Sequence, residues 1–355
     1  MEKQIHGGNV FDKDVKLDYS VNINPLGMPE GVRDVIIRNI DKDETYPDIE
    51  YHELKTAIAA KERVSEDIII CGNGASELIM AAVRAEKPLK CAMAAPSFSG
   101  YERATRACGA DILYYYLDSH NGFSYENVCD QLLKLDIQLC FICNPNNPTG
   151  NLVPVNMLKD ILDICKERNI RLIVDECFLR FHPDYENISC RNLLSQYDNL
   201  VVINAFTKFY AMAGIRLGYM MCADRQFMDK VSIQLPEWNI SSIAQRAGIE
   251  ALKAADYEQQ TRKLIVEERS YLANGLKAAG CEVYPSEADY ITFRLSHKHA
   301  GDNLMDELLR RKILIRSCAS YNNMPPDCYR IAVKKHKDNE YLMKNINEVL
   351  GMVES

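Results

Sequence analysis

The sequence has no apolar run of about 18 residues, no excess of basic residues and no internal repeat. A membrane-spanning helix requires such a run, and nucleic acids or anionic membranes are bound by clustered Lys and Arg. The net charge of -8 therefore argues against both kinds of partner. The N-terminal residues also lack the apolar core of a signal peptide. These absences predict a soluble, unexported protein whose binding sites for anions are local.

Cysteine patterns typical of disulfide frameworks or metal sites are lacking as well. The thirteen cysteines are an odd number scattered through apolar segments, as expected of small buried residues in a reducing compartment. We therefore expect a cytoplasmic protein. Cys140 and Cys143 form a single C-x-x-C within an apolar run, and His297 and His299 form an H-x-H. Because neither pattern has a second pair at metal-binding spacing, we expect no metal site.

The chain does contain a regular alternation of helical periodicity with short apolar runs between residues 54 and 251. Strands that alternate with helices predict βαβ units and a mostly parallel sheet, the α/β class. The six predicted strands are 90–94, 112–116, 139–143, 171–174, 200–204 and 217–222. A predicted helix over 155–168 begins after Pro154, which suits a first helical turn.

The last hundred residues have a different pattern. A long polar helix is predicted over 256–279, ending before Gly280 as helices commonly do. Beyond it, the pattern predicts strands at 283–284, 291–295, 313–315 and 329–333 and helices at 302–311 and 339–350. We therefore expect a large domain over 36–255, a smaller α+β domain over 256–355, and an N-terminal segment, 1–35, that packs on the smaller domain.

Lys208 is the most informative residue of the large region. It follows the predicted strand 200–204, with Thr207 directly before it and Arg216 eight residues after it. A lysine at the end of a buried strand can form an imine with an aldehyde cofactor, and the hydroxyl and guanidinium can bind a phosphate. A lysine that merely extends into solvent from a strand end is the alternative.

Three other motifs fall on connections of the predicted sheet, where open α/β sheets bind ligands. The G-N-G-A-S-E segment at 72–77 opens a predicted helix, which suits a phosphate, although an ordinary glycine turn looks the same. Asn147 lies in N-P-N-N-P-T-G, where two prolines can hold it as a hydrogen-bond donor. Asp175 follows a buried strand, and a buried acid needs a cation, either a pyridinium nitrogen or an arginine.

Taken in order, these motifs resemble those of the fold type I pyridoxal phosphate enzymes, the aspartate aminotransferase-like superfamily, over essentially the whole chain. The resemblance implies that Lys208 forms the imine with the cofactor and that Asp175 faces the pyridine nitrogen. It also implies that Asn147 contacts the ring O3′ and that Phe98 stacks on the ring. The residues implied at the phosphate are Gly74, Ala75, Ser76, Thr207 and Arg216.

The resemblance also bears on the assembly. Tyr46, in T-Y-P, is similar to the tyrosine that reaches the phosphate of the neighbouring subunit in this superfamily. A homodimer with shared active sites is therefore expected.

Within the superfamily, the chain is most similar to threonine-phosphate decarboxylases of cobalamin biosynthesis and to histidinol-phosphate aminotransferases. H-G-G-N at 6–9, N-I-N-P-L-G at 22–27 and Phe178, where the aminotransferases have tyrosine, favour the decarboxylases. The resemblance places Arg330 at the substrate carboxylate. It makes the following residues candidates for the rest of a phosphorylated substrate: His6, Gly7, Asn24 and Arg316.

Two alternatives remain open from the sequence. The first is an aminotransferase of the histidinol-phosphate type, in which Lys208 moves a proton rather than completing a decarboxylation. The bond held perpendicular to the cofactor ring distinguishes the two, and the sequence does not report that torsion. The second is a non-catalytic pyridoxal phosphate-binding effector module of a transcription regulator. The acidic chain argues against this module, since it requires a basic DNA-binding segment in front.

Overall fold

The computed structural model describes residues 8, 10, 11, 13–299, 301 and 303–351, so the predictions for His6 and Gly7 lie outside the described residues. Within these residues the chain forms thirteen strands and thirteen α-helices. The strands are β1 (Leu17–Asp18), β2 (Ile69–Gly72), β3 (Lys90–Ala95), β4 (Asp111–Tyr116), β5 (Leu139–Cys143), β6 (Arg171–Asp175), β7 (Leu200–Ala205), β8 (Gly218–Cys222), β9 (Glu282–Val283), β10 (Tyr290–Arg294), β11 (Ile313–Leu314), β12 (Arg316–Ser317) and β13 (Cys328–Ala332). The helices are α1 (Glu30–Asn39), α2 (His52–Glu62), α3 (Ala75–Glu86), α4 (Ser99–Ala107), α5 (Val128–Leu132), α6 (Val155–Glu167), α7 (Tyr185–Ile188), α8 (Phe206–Phe209), α9 (Arg225–Ser232), α10 (Ser242–Ala251), α11 (Ala255–Ala278), α12 (Leu304–Arg310) and α13 (His336–Val349).

The largest sheet has seven strands in the order β2-β8-β7-β6-β5-β3-β4. The pairs among β3, β4, β5, β6 and β7 are parallel, whereas β8 is antiparallel to both of its neighbours. The predicted α/β fold with a mostly parallel sheet is confirmed, and each predicted strand lies within about one residue of an observed one. Strand β8 runs antiparallel to β7, and the connection between them, residues 206–217, contains the short helix α8.

The central strands are buried on both faces. Every residue of β5 and β7 is buried, as expected of parallel strands covered by helices on each side. Cys140 and Cys143, three positions apart on β5, point to opposite faces and pack into two separate hydrophobic clusters. The C-x-x-C is therefore not a facing pair, and all thirteen cysteines are free thiols.

The C-terminal part forms a second sheet, in which β12, β13, β10 and β9 are antiparallel in that order. The N-terminal segment contacts this part, because Leu17 of β1 pairs in parallel with Ile313 of β11. The Tyr19 carbonyl also accepts a hydrogen bond from the Ala332 N–H (3.0 Å). Among the described residues, no helix combines the length and apolarity that a membrane span requires.

The direction of the strands determines where functional residues gather. The carboxyl ends of β2, β3, β5, β6 and β7 lie at one edge of the large sheet, and reversed β8 places its amino end there. The segments leaving this edge include every motif identified above in the large sheet. Open α/β sheets bind their ligands at this edge, outside the strand ends.

Candidate active site

A cavity of roughly 230 Å³ opens at the carboxyl edge of the large sheet. Ser20, Val21 and Asn22 of the N-terminal segment and Tyr321 of the C-terminal part close it from the other side. The predicted site residues that line it are Ala75, Ser76, Phe98, Asn147, Asp175, Thr207, Lys208, Arg216, Arg316 and Arg330. The structure thus gathers residues up to 310 positions apart, from Ser20 to Arg330, around one volume.

One end of the cavity is built for an anion. Helix α3 begins at Ala75, and the first N–H groups of a helix have no acceptor within the helix. Gly74 before it has φ +81°, and a Cβ there would lie 2.6 Å from the Arg216 guanidinium. Gly218 has the same function in β8, because its Cβ would lie 2.9 Å from the Ala75 nitrogen. Two glycines therefore allow Arg216 and the helix start to approach each other closely.

Asp175 lies at the carboxyl end of β6 and faces the cavity while almost fully buried. One carboxylate oxygen accepts from the Tyr101 hydroxyl (2.8 Å) and the other from the Cys177 N–H (3.0 Å). No described Arg, Lys or His forms an ion pair with it. Burial raises the pKa of this carboxyl, and the two hydrogen bonds only partly oppose that effect. No described arginine therefore pairs with Asp175, which was the alternative to a pyridinium nitrogen as its partner.

Lys208 lies opposite, on short helix α8 after β7. Its amine makes no hydrogen bond or ion pair with a described residue. Burial lowers the pKa of the amine, and the positive charges of Arg330 and Arg216 lower it further, whereas the Asp289 carboxylate opposes this. An amine in these surroundings loses its proton more readily than a surface lysine, which is what a nucleophilic lysine requires.

Asn147 has a fixed orientation. Its side-chain oxygen accepts from the Arg330 guanidinium and from the Tyr321 hydroxyl (3.3 Å). The amide NH₂ consequently remains available as a donor at the cavity. Arg330 also donates to the Ser20 carbonyl (2.9 Å), so the N-terminal segment helps to position this guanidinium.

Arg316 is a second cation at the cavity. It is buried on β12, donates to Ser320 Oγ (3.0 Å) and lies 5.7 Å from the centre of the Tyr321 ring. Neither Arg316 nor Arg330 forms an ion pair with a described carboxylate. The alternative to a binding role for these two arginines was a surface salt bridge, and no such salt bridge occurs among the described contacts.

Aromatic side chains form the apolar walls. Phe98 packs edge-to-face on Tyr101, with ring centres 5.5 Å apart. Gly100 leaves space for the Phe98 ring, because a Cβ there would lie 2.2 Å from it. Phe178 lines the cavity too and packs edge-to-face on Tyr290 at 5.1 Å. Both phenylalanines are therefore held by fixed neighbours.

Two predicted residues lie away from the cavity. The Asn24 amide donates to the Phe209 carbonyl and to Thr261 Oγ1, both at 2.7 Å, and its backbone N–H donates to the Lys208 carbonyl (3.1 Å). These contacts favour a role for Asn24 in positioning Lys208, so its binding of substrate stays a prediction. Tyr46 is 80% exposed and packs against Trp238, with ring centres 4.8 Å apart and ring planes tilted by 36°.

Sequence reasoning missed several residues of the site. Tyr101 lies in α4, three positions after Phe98, and nothing in its sequence position indicates that its hydroxyl reaches Asp175. Tyr321 lies in a loop without periodicity. Asp289, a buried carboxylate whose charge acts on Lys208, follows no motif either. Only the A-D-Y sequence, an acid next to an apolar strand, could have suggested it.

The cavity residues fit pyridoxal phosphate on structural grounds. Asp175 is a buried carboxylate without a cation among the described residues, which matches a protonated ring nitrogen. The Gly74 and Gly218 cradle with Arg216 matches a phosphate, and the available Asn147 amide matches a ring oxygen. The Lys208 amine, whose pKa is lowered by burial, is suited to react with an aldehyde.

Comparison with known proteins agrees with this arrangement. Residues 14–346 match the family model described as aminotransferase class I and II. The threonine-phosphate decarboxylase of Salmonella typhimurium is 34% identical over 97% of this chain and 96% of its own length. The histidinol-phosphate aminotransferase of Oleidesulfovibrio alaskensis is 33% identical over 93% of this chain and 86% of its own length. The crystal structure of the histidinol-phosphate aminotransferase from Clostridium acetobutylicum superposes with a TM-score of 0.88 at 31% identity, covering 95% of this chain and 100% of that one.

Proposed function

Because the chain belongs to the aminotransferase class I and II family, we propose that it is a pyridoxal phosphate enzyme that decarboxylates a small phosphorylated amino acid, as a threonine-phosphate decarboxylase does. Membership of this family confirms three predictions made from the sequence: the fold class, an enzymatic activity and pyridoxal phosphate as the cofactor. The site residues and the reaction are the parts that we propose.

The residues around the cofactor have separate tasks. When bound, pyridoxal phosphate supplies an aldehyde for an amine and a ring that accepts electrons from the substrate Cα. Asp175 stabilises positive charge at the ring nitrogen, and Asn147 donates to the ring oxygen. Phe98 covers the ring. Lys208, as a buried amine of lowered pKa, delivers the proton that Cα receives after the carboxylate has left.

The observation that supports the substrate class is the pair of arginines Arg316 and Arg330. Both line the cavity together with Lys208, both are buried, and neither is neutralised by a described carboxylate. Two uncompensated cations match a substrate with two anionic groups, and guanidinium binds both carboxylate and phosphate in a bidentate manner. We assign Arg330 to the carboxylate and Arg316 to the phosphate.

Phe178 favours decarboxylation. The ring lies in the cavity wall, where the resemblance to aminotransferases would require a tyrosine hydroxyl. Without that hydroxyl, one hydrogen-bond donor that tunes the cofactor oxygen is missing. The higher similarity to a threonine-phosphate decarboxylase supports the same assignment.

A product assay tests this reaction. Threonine phosphate should release carbon dioxide and give 1-amino-2-propanol phosphate without a keto acid. If the enzyme instead forms glutamate from 2-oxoglutarate with histidinol phosphate as amino donor, and releases no carbon dioxide from threonine phosphate, the aminotransferase function replaces the decarboxylase.

Substitution of Arg316 tests the substrate assignment. Arg316→Ala should weaken binding of the phosphorylated substrate by about 2 to 5 kcal/mol, because a desolvated charge pair is lost, while cofactor binding changes little. Arg225→Ala, at an exposed arginine on α9, is the matched control. Equal losses for phosphorylated and unphosphorylated threonine would contradict the assignment.

We also propose a homodimer in which Tyr46 reaches the cofactor phosphate of the partner. Tyr46 and Trp238 form an exposed aromatic pair, and Ile37, Ile40 and Ile49 on neighbouring segments are exposed as well. Exposed apolar groups of this extent are typical of interaction surfaces.

Hybrid dimers test the shared site. Mixing inactive Lys208→Ala with inactive Tyr46→Ala should restore part of the activity, since one site of each hybrid carries both residues intact. Tyr116→Ala, at an exposed tyrosine of β4, should remain active by itself. A monomer by sedimentation, or no recovery after verified subunit exchange, would count against the shared site.

The thirteen free thiols support a reducing compartment, and we propose the cytoplasm.

A further inference from the structure

Tyr101 contacts two residues of the cavity wall from behind. It is fully buried and lies in the first turn of α4, three positions after Phe98. Its hydroxyl donates to Asp175 Oδ2 (2.8 Å), and its ring packs edge-to-face on Phe98, with ring centres 5.5 Å apart. Because Asp175 and Phe98 both line the cavity, one side chain connects two separate parts of its wall.

The Tyr101 ring is itself held on two sides. It stacks on Phe141 of β5, with ring centres 4.7 Å apart and ring planes only 9° from parallel. Phe98 lies against it from another direction, and the Tyr101 N–H donates to the Phe98 carbonyl (3.3 Å). Close-packed rings leave a tyrosine little freedom to turn. The hydroxyl therefore presents its donor to Asp175 from a fixed point.

The hydrogen bonds of Asp175 are divided between its two oxygens. Oδ1 accepts from the Cys177 N–H (3.0 Å), and Oδ2 accepts from the Tyr101 hydroxyl. A carboxylate turns easily about its last torsion, so a donor on each oxygen is needed to fix its plane. The thiols of Cys143 and Cys177 lie near this carboxylate, and burial raises the pKa of both, so they bring no charge that would turn it.

We propose that Tyr101 is a positioning residue of the cofactor site, whose hydroxyl fixes the Asp175 carboxylate and whose ring braces Phe98. One side chain then sets both the group assigned to the ring nitrogen and the group assigned to the ring face. The inference rests on these proposed roles of Asp175 and Phe98, but it requires neither the proposed reaction nor the proposed substrate. A tyrosine that only fills the space between α4 and β5 would need its ring and not its hydroxyl.

Tyr101→Phe separates the two roles, because it removes the hydroxyl and keeps the contacts of the ring. Cofactor-free protein should bind pyridoxal phosphate about tenfold more weakly in this variant, as expected from the loss of a hydrogen bond to a charged group. Tyr115→Phe is the matched control. Tyr115 of β4 is also fully buried, and its hydroxyl donates to the Phe141 carbonyl (2.7 Å), so its loss should leave cofactor affinity unchanged.

A double-mutant cycle tests whether the hydroxyl acts through Asp175. Asp175→Ala removes the acceptor, so adding Tyr101→Phe to this variant should weaken cofactor binding less than about twofold. An equal loss in both backgrounds, or full affinity in Tyr101→Phe alone, overturns the proposal.

A second measurement does not depend on the folding of Asp175→Ala or on cofactor binding. Burial raises the pKa of Asp175, and hydrogen bonds from Cys177 and Tyr101 oppose the rise. Carbon-13 NMR of labelled aspartate in cofactor-free Tyr101→Phe should therefore show a higher pKa for Asp175, whereas Tyr115→Phe should match the wild type. An unchanged titration in folded Tyr101→Phe would contradict the proposal. A failed decarboxylase assay would leave this result intact, since the measurement uses no substrate.

Discussion

Glu62 and Asp175 are both buried carboxylates, but only Glu62 faces cations. Glu62 of α2 accepts from the guanidinium groups of Arg180 and Arg191 and from the hydroxyls of Tyr185 (2.7 Å) and Tyr219 (2.5 Å). Among the described residues, Asp175 accepts only from a tyrosine hydroxyl and a backbone N–H. Both residues are buried, and they differ in whether a cation of the protein pairs with the carboxylate.

The pKa values show the consequence of this difference. Burial by itself would raise the pKa of Glu62, but Arg180 and Arg191 hold it down to about 2. The pKa of Asp175 is raised, because burial acts there without a cation. A compensated carboxylate stabilises the fold, whereas an uncompensated one at a cavity is suited to a cation brought by a ligand. The substitutions below can break or sharpen this distinction.

The largest effect is expected from Lys208→Ala. The cavity would lose its nucleophilic amine and its proton donor, so turnover should fall by about 7 kcal/mol in the barrier or more. Borohydride should fix the cofactor covalently to the wild type and not to the variant, as measured by protein mass. Lys253→Ala, at an exposed lysine, should keep the adduct. Full retention of the adduct in Lys208→Ala would remove the central assignment.

Asp175→Asn should have the next largest effect. Without the carboxylate, positive charge at the ring nitrogen is no longer stabilised, so turnover should fall on the order of thousands-fold while some cofactor binding persists. Steady-state kinetics with saturating cofactor measures this loss. Asp136→Asn, at an exposed aspartate, is the control. A near wild-type rate would make Asp175 a structural carboxylate like Glu62.

Glu62→Gln tests the buried carboxylate that is paired with cations of the protein. Two buried guanidinium groups would lose the buried carboxylate that they share, although Arg180 keeps Glu258 and Arg191 keeps Glu186 as second partners. Removing one partner of a buried ion pair typically costs about 3 kcal/mol of unfolding free energy or more. Chemical denaturation at neutral pH measures the change. The surface pair of Asp34 and Arg38 offers a control, since Asp34→Asn should cost less than about 1 kcal/mol. A small loss in Glu62→Gln would mean that the cluster contributes little to stability.

The smallest effect concerns Glu176, which lies beside Asp175 and forms no ion pair with a described Lys, Arg or His. It accepts from Ser189 Oγ (2.6 Å) and the Cys190 N–H (2.7 Å), and burial raises its pKa to about 7. The folded state therefore binds this proton more tightly than the unfolded chain. The associated stability is full below the usual pKa of 4.5 and is lost as pH rises through about 7.

Glu176→Gln should remove this pH dependence. The glutamine oxygen can still accept from the Cys190 N–H, and its NH₂ can donate to Ser189 Oγ. Because glutamine cannot ionise, the variant should lose about 2 kcal/mol less unfolding free energy than the wild type between pH 5 and 8. Denaturation at the two pH values measures the difference. Identical losses in both proteins would mean that Glu176 remains ionised throughout, in the same way as Glu62.

Much of the fold follows from local patterns. Strands β5, β6 and β7 were predictable within one residue, because a strand buried on both faces requires a short, continuous apolar run. Three short strands, β1, β2 and β12, escaped prediction. Leu17 of β1 pairs with Ile313, nearly 300 positions away, and a two-residue strand has no period of its own. The reversal of β8 was also hidden, since a strand pattern does not encode direction.

The same limit applies to the site. Lys208, Asp175 and Asn147 could be identified because each lies at the carboxyl end of a strand or within four residues after it, and the strand ends of a parallel sheet converge at one edge. Tyr321 and Asp289 follow no such rule. Their importance comes from partners far along the chain, and burial of a single charged side chain cannot be recognised from its neighbours in the sequence.

The sequence by itself determined the order of strands and helices and the chemical groups at the strand ends, because both depend on short-range periodicity and on residue type. Only the tertiary structure decided which buried charged side chains have a partner of opposite charge. Glu62 meets arginines more than 100 positions away, and Arg330 turns the Asn147 amide from 183 positions away. Such pairings depend on the path of the whole chain and on the exclusion of water. Together these decide whether a buried carboxylate pairs with a cation of the protein or remains available for a cation of a ligand.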